Sequence, residues 1–143
     1  MSIRTIVAVL HEDGDTERVL DVALPLAERF DSHLIGVHAA AVPLPIGSPL
    51  GFPDTDFVQA GLESAEERAG ILKAAFDARA ARSGRAAEWR SSQSLTADAA
   101  RDSLMTARAS DLVITQQMKP DESIARYPDN AALLFETGRP LLV

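Results

Sequence analysis

Four short apolar stretches and one alternating stretch are interleaved with longer segments of helical periodicity along the chain. Ile6-Val-Ala-Val-Leu10 is continuously apolar and rich in β-branched residues, as a parallel strand covered on both faces requires. Glu12-Asp13-Gly14-Asp15-Thr16 supplies turn and N-cap chemistry. Val19, Ala23, Leu26 and Phe30 then recur at helical spacing, which predicts a first helix over about residues 16–30. Pro25 inside it removes a backbone donor, at a typical cost of about 3 kcal/mol, and predicts a kink. His33-Leu-Ile-Gly-Val-His-Ala-Ala40 forms the second apolar run, and the helix before it is long enough to be the crossover that parallel pairing needs.

Val42 to Pro53 holds four prolines with Gly47 and Gly51, a density that leaves no regular structure. From Asp56 to about Arg82, Val58, Leu62, Ala65, Ala69, Leu72 and Phe76 trace one face of a long helix closed by Ser83-Gly84. Ala87-Glu-Trp-Arg-Ser91 alternates, with one charged face, as a strand at a sheet edge does. Thr96 is a cap for a helix to about Ala109 with Ala97, Ala100, Leu104 and Ala107 inward, and Asp111-Leu-Val-Ile-Thr115 is the fourth strand. Asp129 or Asn130 caps a short last helix ending at Gly138, and Pro140-Leu-Leu-Val143 starts a fifth strand. The order β-α-β-α-β-α-β-α-β predicts a single doubly wound α/β domain with a parallel sheet.

Composition narrows the chemistry. The 143 residues include no cysteine, which excludes disulfides, thiolate metal sites and cysteine nucleophiles. The formal net charge of −7 repels phosphate backbones and anionic lipid, so neither nucleic acid nor membrane is an expected partner. The N-terminal apolar run is too short for a secretory signal, and a cytoplasmic location is the expectation.

Ligands of doubly wound sheets bind beyond the carboxyl ends of the strands, at the point where strand order reverses. Those ends carry Leu10 and His11, His38, Ala39 and Ala40, and Thr115, Gln116 and Gln117. Arg4-Thr-Ile-Val-Ala-Val, Ser32-His-Leu-Ile-Gly-Val-His-Ala, Ser110-Asp-Leu-Val-Ile and the closing Gly138-Arg-Pro-Leu-Leu-Val143, in that order and spacing, together resemble the universal stress protein family over essentially the whole chain. The resemblance implies five parallel strands in the order 3-2-1-4-5 with two helices on each face, of the adenine nucleotide alpha hydrolase-like type. Ala87-Glu-Trp-Arg90 and the Gln116 loop look like the first domain of tandem two-domain members, so residues 1–143 are expected to be one such domain, as a module of a longer chain or alone.

Nucleotide-binding members of that family carry an Asp just after strand one and G-x2-G-x9-G-[ST] after strand four. There the glycines let backbone amides approach phosphates and the hydroxyl donates to them. Aligned on Asp111-Leu-Val-Ile114, the four signature positions fall on Gln116, Lys119, Asp129 and Asn130, and none matches; His11 stands at the Asp position. Side chains at the approach positions crowd a phosphate and Asp129 repels it, although Lys119 offers a cation. A degenerate nucleotide pocket without a bound cofactor is therefore expected, with ATP or another adenine nucleotide as the alternative.

Other chemistries meet specific obstacles. His33 and His38 lie five positions apart on one strand and face opposite sides, so they do not chelate together. His11 and His38 approach across adjacent strand ends, and Glu12 or Asp13 completes a metal triad on paper; without a recognised ligand spacing, His38 reads more simply as a hydrogen-bonded strand residue, and no metal site is expected. The chain lacks G-x-x-x-x-G-K-[ST], G-x-G-x-x-G and G-x-S-x-G. It also has one histidine where nucleotidylyltransferases of related topology resemble one another in two, and one acidic cluster where a receiver domain needs several. The acids at 12, 13 and 15 suit a helix N-terminus. Trp89 suits core or sheet-edge packing better than a partner hot spot. The apolar Leu44, Ile46, Leu50 and Phe52 suit packing over the sheet or a contact surface. The resulting expectation is a non-catalytic stress-response module acting through association, as a homodimer or with a second tandem domain, through the fifth strand with Leu141 and Val143 at the contact. The alternative is an adenine-nucleotide binder or slow ATP hydrolase with a divergent pocket.

Overall fold

A computed structural model describes residues 2–42, 55–94, 99–117 and 130–143. The elements follow the predicted order: β1 (Thr5–Val9), α1 (Asp13–Phe30), β2 (His33–Ala41), α2 (Thr55–Ser83), β3 (Ala87–Ser94), α3 (Ala99–Arg108), β4 (Leu112–Ile114), α4 (Asn130–Thr137) and β5 (Leu141–Leu142). All four pairings are parallel, and the sheet order is β3-β2-β1-β4-β5. Among the described residues, no helix is long and apolar enough to cross a membrane.

The apolar strands divide their side chains between two cores. Ile6, Ala8, Leu10, Leu34 and Ile114 face α1 and α2, where Leu20, Ala23, Ala27 and Phe76 meet them. Val7, Val9, Ile35, Val37 and Val113 face α3 and α4, under Leu104, Ala107 and Leu133. Two helices thus cover each face, and the central strand shows no polar side because it has no solvent side.

Several boundaries differ from the periodicity. Helix α1 begins at Asp13 with Glu12 as N-cap, three residues ahead of Thr16; the buried Thr16 hydroxyl donates back to the Glu12 carbonyl (2.8 Å), one turn earlier. The helix runs through Pro25 without ending there. Phe30, expected inward, is 39% exposed beside the αL cap residue Asp31, with the Arg29 guanidinium 6.0 Å from its ring. Strand β3 continues to Ser94. Thr96, Ala97 and the stretch from Pro43 to Pro53 lie outside the described residues, while Val42, just before them, is buried.

Gly36 marks the tightest point of the α1/α2 core. A Cβ built there would sit 2.7 Å from the Phe76 ring and 2.9 Å from Trp89, closer than any packed carbon tolerates. Trp89 is half-buried against Phe76, ring centroids 5.5 Å apart, so the packing role expected of it holds. Since neither ring is the free end of a flexible chain, Gly36→Ala is expected to cost about 1–3 kcal/mol. Urea denaturation followed by fluorescence of Trp89, the chain's one tryptophan, measures it; a midpoint equal to that of wild type would contradict the packing.

Candidate functional site

The sheet order reverses between β2 and β4 on either side of β1, so the site begins where those strands end. β1 delivers Leu10 and His11, β2 delivers His38, Ala39 and Ala40, and β4 delivers Thr115 and Gln116. Leu10 N–H donates to Val37 O (2.8 Å), which extends the β1–β2 pairing beyond the last ladder residue and carries His11 inward. His11 is 5% and His38 3% exposed, with ring centroids 6.0 Å apart and planes tilted by 51°. The meeting of these two histidines across adjacent strand ends is as predicted.

Their protonation follows from burial. His38 Nδ1 lies 2.8 Å from the Leu10 carbonyl and, facing an acceptor, carries the proton. Its Nε2 is then a buried lone pair with no hydrogen-bond partner among the described residues. Burial depresses the His38 pKa, against the raising effect of that backbone bond, and the Arg68 charge on α2 lowers it further. Burial, then the neighbouring His38, pulls the His11 pKa down to about 3. Both rings are neutral at physiological pH.

His33 lies on the other face, exposed, with its Nε2 3.2 Å from Glu88, as strand alternation demands. Among the described residues no group of three or more His, Asp or Glu is placed to hold a metal ion.

Around the β4 end, Thr115 is buried and its N–H donates to Leu142 O (3.0 Å). Gln116 is half-buried. Asn130, first residue of α4, turns its side-chain amide back to donate to the Gln116 carbonyl (3.0 Å). The donor that alignment set against a phosphate-binding hydroxyl is thus engaged by the loop backbone. Lys119 and Asp129 lie outside the described residues. Ala39 is buried and Ala40 half-buried, so beyond His38 the β2 end adds shape without polar side chains.

Sequence reasoning missed Asp111. Its carboxylate accepts N–H donors from Arg4 (2.8 Å) and Thr5 (3.0 Å), bonds that hold it below the ordinary Asp pKa. It fixes the start of β4 against the start of β1, at the amino ends of the strands and away from the site. The signal was available: a short acid just before a strand, next to a neighbour whose first N–H groups are free.

No protein-family model and no curated protein matches the chain. Solved structures match it in shape. One, from the universal stress protein family of Burkholderia pseudomallei, is 20% identical with a TM-score of 0.59, over 99% of this chain and 95% of that one. The universal stress protein UspA of Lactobacillus plantarum is 12% identical with a TM-score of 0.65, over 100% and 97%. A universal stress protein family protein from Arabidopsis thaliana with AMP bound is 10% identical with a TM-score of 0.62, over 97% and 89%. The chain has the fold of the universal stress proteins, as its sequence blocks implied.

Proposed function

We propose that this chain is a stress-response or regulatory module of the universal stress protein type, non-catalytic, whose nucleotide site has degenerated and which acts by association. The observation that carries this reading is the buried, neutral His11 at the β1 end, where the resemblance calls for an acidic residue. A neutral ring closed against His38 lacks the charge and the exposure to grip a polar ligand. The Asn130 amide, bonded to the loop backbone, supports the same conclusion.

Isothermal titration with AMP, and with ATP and Mg²⁺, tests it. No heat of binding is expected up to millimolar nucleotide, and micromolar affinity would overturn the reading. The variant carrying His11→Asp, Gln116→Gly, Lys119→Gly, Asp129→Gly and Asn130→Ser is expected to acquire measurable affinity with its circular dichroism retained. The alternative, an adenine-nucleotide binder with a divergent pocket, draws on the AMP held by the Arabidopsis structure and on the buried His38 Nε2 lone pair, which has no hydrogen-bond partner among the described residues.

Association is assigned to β5, which lies at the sheet edge. Leu141 turns inward onto the α3/α4 core, whereas Leu142 is 40% and Val143 59% exposed, so the backbone edge and Val143 form the contact rather than the Leu141 side chain. Leu141→Lys would therefore disturb the core as well as an interface, and Val143→Lys is the cleaner probe. Its sedimentation at tens of micromolar is expected to show a smaller species than wild type.

A further inference from the structure

At the opposite side of the sheet, β3 pairs with β2 alone among the described residues, leaving its other backbone edge open. At 8 residues it exceeds the usual strand length of about five to six, and such an edge is a template for another strand. Proteins often blunt these edges with charged side chains, prolines or bulges, and charge protects an edge only where the approaching strand does not offer its complement. Here Glu88 and Arg90 instead flank Trp89 with opposite charges, both on the α3/α4 face and both about half exposed, Arg90 Nε donating to Glu88 at 2.7 Å.

That sequence is its own complement. When a second copy lays β3 antiparallel beside the first about a two-fold axis through Trp89, each Glu88 falls opposite the other copy's Arg90, and the two Trp89 residues face each other. Moving the axis by one residue sets Glu88 against Glu88, or Arg90 against Arg90. Opposite charges directly across strands stabilise and like charges destabilise, by roughly 0.2–1 kcal/mol per pair. One register is thus favoured over both neighbours. The net charge of −7 on each copy opposes association, but at physiological salt it is screened beyond about 8 Å, while pairs in contact are less affected.

We propose that β3 is a self-pairing edge through which two copies of this chain join their sheets antiparallel, in the register set by Glu88 and Arg90. This contact is separate from the one at β5 and independent of the nucleotide reading.

Sedimentation equilibrium at tens of micromolar, in a Val143→Lys background that removes the β5 contact, tests it. The background protein is expected to be a dimer. Glu88→Arg alone, or Arg90→Glu alone, creates two like-charge pairs and should weaken dimerisation by about tenfold or more. An equimolar mixture of these two single variants should restore the dimer, because every residue 88 then faces an opposite charge at residue 90. The double swap Glu88→Arg/Arg90→Glu should dimerise like the background, which separates charge pairing from damage to the fold. A monomeric background, single variants that stay dimeric, or a mixture or double swap that stays monomeric overturns the proposal.

Discussion

Phe76→Ala is expected to lower stability by about 3–5 kcal/mol, the usual cost of removing a fully buried phenylalanine. Phe76 is 0% exposed and is the largest fully buried side chain described. It fills the space above Gly36, which has no side chain of its own to take that space up, and packs against the ring of Trp89. Because small domains are stable by only about 5–15 kcal/mol, the variant should unfold at a much lower urea concentration with an unchanged slope. Its Trp89 emission should also move to longer wavelength before global unfolding. A loss below about 1 kcal/mol would show that the α2–β3 packing is not as described.

Acid is expected to be the second large perturbation. His11 titrates at about 3 in the fold and near 6.5 when unfolded; His38 is depressed in the same direction. Below pH 6.5 the unfolded chain therefore binds protons that the folded chain refuses. Stability is full above pH 6.5 and falls as pH drops, by up to about 1.4 kcal/mol per pH unit for each histidine, until the folded-state pKa is reached. Asp111, also depressed in the fold, adds a further loss once pH falls below its ordinary value of 3.8. Urea midpoints measured between pH 7.5 and 4.5 should decline through this window. His11→Gln, which cannot take up a proton, should flatten the decline. A midpoint constant from pH 7 to 5 would mean that the pair is not buried and neutral.

The strands β1, β2 and β4 were legible because they are covered on both faces, and a strand with no solvent side must be continuously apolar; their order in the sheet came from the resemblance alone. The helices were less so. Thr16 reads as a cap in sequence because its hydroxyl suits that role, but the same hydroxyl serves equally well inside a first turn, bonding to Glu12. Val58 and Leu62 continue the helical stripe of α2 yet are only half-buried. The 29 residues of α2 span about 44 Å and the 9 of β2 only about 30 Å, so the outer turns of the helix have less sheet to cover. At the site, strand alternation placed His38 and His33 on opposite faces, and adjacency brought His11 to His38. The return of the Asn130 amide to Gln116 depends on a neighbour that folding supplies and no local pattern records, and the bonds of Asp111 to Arg4 and Thr5, though a short acid before a strand hints at them, need the start of β4 to lie beside the start of β1.

The double pairing of β1 bears on how the chain assembles. β1 takes one partner from residues 33–37 and the other from residues 112–114. During synthesis the segments of the first pairing are complete roughly 75 residues before the second partner begins, several seconds at about 5–20 residues per second. For that interval the strand destined for the middle of the sheet is an edge strand with an apolar surface. Asp111, just ahead of β4, accepts the N–H groups of Arg4 and Thr5 across a separation of 107 and 106 residues, so the anchor that sets the late strand in register travels with it. The centre of the sheet is therefore completed only after β2 and β3 have been made, with β5 alone still to follow, and its most buried strand is the one that waits longest for its second partner.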